Sequence, residues 1–98
     1  MTKTVTLVYN KPDVAEFYVS TDAMKARYQA LKDTGQIVSD SLTIDGNTKT
    51  FVVEFLNEAA HSSFLAEDVK INDNTLRTNH NTDNSIFLEI NTSTDQQL

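Results

Sequence analysis

The stretch from 38 to 55 constrains this chain more than any other, because its alternation requires a hairpin with two unlike faces. Val38, Leu42 and Ile44 alternate with Ser39, Ser41 and Thr43, and after Asp45-Gly46, Phe51, Val53 and Phe55 alternate with Thr50, Val52 and Glu54. A two-residue turn at Asp45-Gly46 pairs Ile44 with Asn47 and Leu42 with Lys49; a four-residue turn pairs Leu42 with Phe51. Side chains along a strand switch faces at every residue, so both registers gather the large apolar residues on one face. A one-sided core is required whichever turn forms.

The flanking segments extend this pattern. Residues 4–10 set Val5, Leu7 and Tyr9 against Thr4, Thr6 and Val8, the mark of another half-buried strand. Pro12 interrupts it, since proline cannot donate to a ladder. Residues 14–19, with Phe17 beside Tyr18, form either a short extra strand or an extended cover over the core edge. Ser20, Thr21 and Asp22 start a helix, with a hydroxyl for the N-cap and a carboxylate in the first turn. Its apolar stripe is Ala23, Met24, Tyr28 and Leu31, and Gly35 suits its left-handed end. Asn57 caps a second, shorter helix with the stripe Ala60, Phe64 and Leu65, running out near Asp68. Residues 72–84 are polar and rich in Asn, which predicts a loop. Residues 85–91 form the last strand, with Ile86, Leu88 and Ile90 facing the core. One domain over 1–91 and a flexible tail over 92–98 complete the division.

The order strand, helix, strand, strand, helix, strand predicts an α+β fold of ferredoxin-like βαββαβ plan. Two right-handed crossovers place both helices on one face of a four-stranded antiparallel sheet. The last strand then lies beside the first, the first beside 49–55, and 38–44 at the far edge. The face away from the helices carries Thr6, Thr50 and other threonines around Val8, Val52 and Phe87, an apolar patch suited to an interface.

Composition narrows the function classes. The 98 residues carry a net charge of −6, and the eight basic residues are scattered, which disfavours nucleic-acid binding. No cysteine is present, which removes thiolate nucleophiles and cysteine-ligated metals. No apolar run approaches the ~20 residues of a membrane helix and no signal peptide is visible, so the expected place is a cytoplasm, or a virion assembled in one. Gly35 and Gly46 are both used by backbone turns, leaving none for a phosphate loop. No cofactor is expected.

Candidate chemistry is sparse. His61 sits on the edge of the second helix's stripe; it has the pKa of a general base, but no acid placed to orient it, and reads as a packing histidine. His80, Asp83 and Asp73 lack the spacing of a metal loop and read as solvated. Arg27 and Arg77 belong to no phosphate-binding pattern. Tyr9, Tyr18 and Tyr28 read as core-edge residues whose hydroxyls reach water.

Phe51-Val52-Val53-Glu54-Phe55 followed by Asn57-Glu58-Ala59-Ala60-His61-Ser62-Ser63-Phe64 resembles the third strand and second helix of the dimeric α+β barrel proteins. Some of these are small cofactor-free monooxygenases. The resemblance covers under a fifth of the chain, departs from that group at residues 11–19, and transfers no catalytic residue. The acidic, cysteine-free, Thr- and Asn-rich composition is also similar to small proteins of tailed phages. The leading expectation is a non-enzymatic structural or interaction module that forms a homodimer through Val8, Val52, Phe87, Thr6 and Thr50. The alternative is a small-molecule binder or cofactor-free enzyme of the dimeric α+β barrel type. Its cleft would lie near Tyr28, His61 and Phe64 and measure at least ~300 Å³. A third reading is an acidic adaptor for another protein. Nucleic-acid and membrane partners are not expected.

Overall fold

The computed structural model describes residues 1–94. Among the described residues, four strands and three helices follow in the order β1 (Lys3–Asn10), α1 (Asp22–Asp33), β2 (Ile37–Asp45), β3 (Thr48–Phe55), α2 (Glu58–Leu65), α3 (Asp68–Asp83) and β4 (Phe87–Thr94). The sheet is antiparallel with the order β2-β3-β1-β4. This is the expected ferredoxin-like α+β arrangement, with one helix more than expected. None of the helices among the described residues is long and apolar enough to cross a membrane.

The hairpin takes the second of the two registers, with Leu42 opposite Phe51, and tightens it until Asp45 pairs with Thr48. The turn therefore shrinks to Gly46-Asn47. Gly46 has φ +59° and Asn47 keeps a negative φ, the pattern of a type II′ hairpin turn, whose twist matches that of the flanking strands. A bulge between Ile37 and Ser39 shifts the start of β2. It buries Ile37 in place of Val38, which had been expected in the core and is exposed.

Val5, Leu7 and Tyr9 on β1, Val53 and Phe55 on β3, and Met24, Leu31, Ala60 and Phe64 from the first two helices form the core. It is narrower than the alternation implied, because the helices cover the central strands. Leu42, Ile44 and Ile90 point to the helix side from the two edge strands and remain half exposed. Both early helices start as their sequences dictate: Thr21 Oγ1 accepts from Met24 N at 3.1 Å and Asn57 Oδ1 from Ala60 N at 2.8 Å.

One open alternative is decided and two expectations are corrected. Residues 14–19 form no strand; Ala15 is buried and Phe17 packs edge-on to Tyr9, so the segment is an extended cover over the core edge. The predicted loop at 72–84 is instead most of α3. Its end is a Schellman motif: Ile86 N donates to Asn81 O and Ser85 N to Thr82 O, with Ser85 at φ 56°. Residues 92–94, expected in a flexible tail, belong instead to β4, which pairs with β1 as far as Thr94. The rest of that expected tail, 95–98, lies outside the described residues.

Candidate functional site

The added helix explains the site. α3 is amphipathic in the reverse sense for a helix packed on a sheet. Its apolar Ile71 and Leu76 are 51% and 41% exposed, whereas Asp73 and Asn81 are 2% and 7% exposed. The inward residues Lys70, Asp73, Asn74 and Arg77 recur at the three- and four-residue spacing of one helix face. They do not meet the apolar sheet in close packing. Between them lies a cavity of about 680 Å³. Val5, Leu7, Val53 and Phe55 form its floor, Met24, Tyr28, His61 and Phe64 its helical wall, and the α3 residues its polar side. Leu42 and Ile90, the half-exposed residues of the edge strands, also line it.

Asp73 fastens one edge of this chamber. Its carboxylate accepts from Tyr18 Oη at 2.8 Å, Ser20 Oγ at 3.1 Å and Thr21 N at 3.1 Å. A buried carboxylate is tolerated only with such partners. They tie the 11–21 segment to α3, helped by His80 Nε2 at 2.8 Å from Glu16 O. Asp73 and His80 are therefore structural fasteners, and no group of three or more metal-ligating side chains occurs among the described residues.

The cavity's electrostatics oppose those of the whole molecule. Four of the chain's eight basic residues line it, Lys25, Lys49, Lys70 and Arg77, against one of fourteen acidic residues, Asp73. Lys49 Nζ lies 4.6 Å from the Tyr9 ring centre and 5.1 Å from that of Phe17, and Lys70 Nζ lies 5.3 Å from that of Phe64. Ring faces attract cations without neutralising them. Burial, with the Arg77 charge beside it, pulls the Lys70 ammonium down to about 8, and Asp73 only partly opposes this. Burial and Arg77 also lower Lys49. Buried Arg77 Nε and Asn74 Oδ1 have no hydrogen-bond partner among the described residues.

The three residues expected at a cleft, Tyr28, His61 and Phe64, all line this cavity. Tyr28 Oη donates to Asp40 Oδ2 at 2.8 Å, and burial and that carboxylate raise its pKa far above the ordinary value. The His61 ring lies 4.9 Å from that of Phe55 at a tilt of 44°, and burial followed by Lys3 lowers its pKa. The cationic wall is hidden in the sequence, because the polar, Asn-rich composition of 72–84 predicts a loop; the Lys70, Asp73, Asn74, Arg77 spacing is the signal for it. The residues expected at an interface lie on the other face of the sheet. Val8 is opposite Thr50 and Glu89, Val52 is opposite Thr6, and Phe87 is opposite Asn10, so Val8 is diagonal to both Val52 and Phe87. Val8 and Val52 are half-buried and Phe87 is exposed.

No protein-family model matches the chain, and no curated protein sequence does. Solved structures do. A cofactor-independent oxygenase from Streptomyces nogalater, SnoaB, superposes in two structures with TM-scores of 0.64 and 0.62, each at 13% identity over 99% of this chain and 95% of that one. A protein from Deinococcus radiodurans, proposed to be an antibiotic biosynthesis monooxygenase, superposes with a TM-score of 0.58 at 10% identity, over 97% of this chain and 94% of that one. The likeness is one of fold. It nevertheless overturns the leading expectation of a non-enzymatic module and favours the alternative, because the structures that share the fold are a cofactor-independent oxygenase and a protein proposed to be a monooxygenase. The chamber lies between the core and α3.

Proposed function

We propose that the chain is a small-molecule enzyme that holds a largely apolar substrate between its sheet and α3 and oxygenates it without a bound cofactor. The cavity is the observation that carries this reading: about 680 Å³, apolar on its floor and polar on one side, within the range of ligand pockets. The fold likeness to a cofactor-independent oxygenase supports the class of reaction. Without a cofactor, every electron passed to dioxygen must come from the substrate. A CH2 group flanked by activating carbonyl or aromatic groups first loses a proton. The resulting carbanion reduces dioxygen; one oxygen atom remains as a new carbonyl and the other leaves as water, so CH2 and O2 become C=O and H2O. His61, held below its ordinary pKa, is a free base at pH 7 inside the cavity and is the group this reading assigns to that proton.

The reading includes a homodimer through the open sheet face, supported by Val8, Val52 and Phe87, with Thr6 and Thr50 between them.

The test starts with the uncharged dye N-phenyl-1-naphthylamine, which fluoresces on entering an apolar site. One dye is expected per chain, and Val53→Trp, which fills the cavity floor, is expected to abolish binding. Activated aromatic compounds that displace the dye are then followed with an oxygen electrode, with one O2 consumed per molecule converted and no added cofactor. Binding unaffected by Val53→Trp would sink the cavity reading. Displacing compounds that never consume oxygen would leave a binding protein.

A further inference from the structure

We infer that the molecule held in this cavity is an organic anion, an apolar body bearing one carboxylate or similar oxyanion group seated among Lys49, Lys70 and Arg77. The inference rests on the cavity being a ligand site and adds the chemical class of the ligand.

Three observations converge on it. First, the three cations come from separate parts of the sequence, β3 and two positions two turns apart on α3, and face one chamber. In a protein of net charge −6, cations gathered this way are not a by-product of composition. Second, they are left without counter-charges. The ion pairs among the described residues join Lys3 to Glu58, Arg27 to Glu67 and Lys32 to Asp40, and none includes the three. Asp73, the one carboxylate on the wall, is already occupied by Tyr18, Ser20 and Thr21. It offsets one positive charge and leaves an excess. Third, the buried Nε of Arg77 has no acceptor, and the guanidinium is the side chain best shaped to take an oxyanion. Burial disfavours the charged form of Lys49 and Lys70, and the Arg77 guanidinium adds like-charge repulsion to both. An anion relieves that repulsion and supplies the missing acceptor; a neutral ligand does neither.

The experiment compares two dyes with one ring system: 1-anilinonaphthalene-8-sulfonate, which is anionic, and N-phenyl-1-naphthylamine, which is not. At pH 7 and moderate salt the anionic dye is expected to bind at least about tenfold more tightly. Lys49→Met, Lys70→Met and Arg77→Met keep the aliphatic stem and remove the charge. Each is expected to reduce that preference while leaving the neutral dye's affinity within about twofold, and near-ultraviolet circular dichroism checks each fold. Lys32→Met, outside the cavity, should leave both affinities unchanged. Equal affinities, or a preference that survives in the variants that fold, overturns the anion inference alone, because the neutral dye still reports the cavity. If neither dye binds, the cavity reading falls and the inference falls with it.

Discussion

Lys70 joins the chemistry of this chain to its stability. Its neighbours are Arg77 and Asp73 on its own helix, the Phe64 ring on α2, and His61, whose pKa it helps to lower. Folding brings its pKa from the ordinary 10.5 down to about 8. Between those values the unfolded chain binds more protons than the folded one, so stability rises with pH. The rise begins near pH 8 and ends near 10, where Tyr9, Tyr18 and Tyr28 begin to count against it. Their folded pKa values lie above the ordinary 10.0, so the unfolded state alone ionises there and stability falls. Urea midpoints at pH 7, 8, 9 and 10 should therefore climb, and Lys70→Met should flatten most of the climb while Lys49 keeps a remainder. Preference for an anionic ligand should move the opposite way and weaken above pH 8 as Lys70 loses its proton. A wild-type midpoint that is flat or falls from pH 8 to 9 would show that Lys70 is not desolvated.

α3 is the element in which stability and function oppose each other. A helix laid on a sheet is expected to turn apolar residues inward, and this one turns Lys70, Asp73, Asn74 and Arg77 inward while Ile71 and Leu76 face out. Departures of this kind from the local rules concentrate at functional sites and are offset elsewhere in the fold. Arg77→Met removes a buried unpaired Nε–H and eases the repulsion on Lys70 and Lys49, against the loss of the side chain's hydrogen bond with Tyr9. We expect it to stabilise the chain by about 1 kcal/mol, a rise in Tm of roughly 4–8 °C for a domain of this size, while anion binding weakens. A fall in Tm of that size would instead make Arg77 a structural residue. The same inversion explains what was legible in the sequence. The strands and α1 carry their apolar periods on the faces they turn toward each other, and α1 and α2 have Thr21 and Asn57 at their starts, so all four strands, α1 and α2 could be read. The buried face of α3 is polar, its N-cap Glu67 makes no side-chain cap bond, and its left-handed end falls on Ser85, with no glycine to mark it. A pattern search for apolar faces passes over such a helix, and with it the cationic half of the cavity. Tyr28, His61 and Phe64 were within reach because they sit on helices whose other residues obey the rule.

At the scale of the whole molecule the sheet separates two roles. Its helix side is occupied by the core and the cavity, and its open side presents Val8 diagonal to Val52 and Phe87 among threonines, with Glu54 and Glu89 at the margin. A second copy packed there would leave the first copy's chamber intact, so association and ligand binding can be tested separately. Light scattering on a sizing column over a tenfold concentration range should give twice the 11.0 kDa chain mass. Val52 lies mid-strand opposite Thr6 and Ser41, where an aspartate can reach water in the monomer but would be buried without a counter-charge between two sheets. Val52→Asp should therefore reduce the mass to 11.0 kDa with unchanged near-ultraviolet circular dichroism. It should also leave dye binding unchanged in stoichiometry, because Val52 does not line the chamber. A wild-type monomer at every concentration would end the dimer reading, and so would a dimer that survives Val52→Asp. Loss of dye binding on dissociation would mean that the chamber depends on the second copy for its shape, and that the two faces of the sheet are coupled.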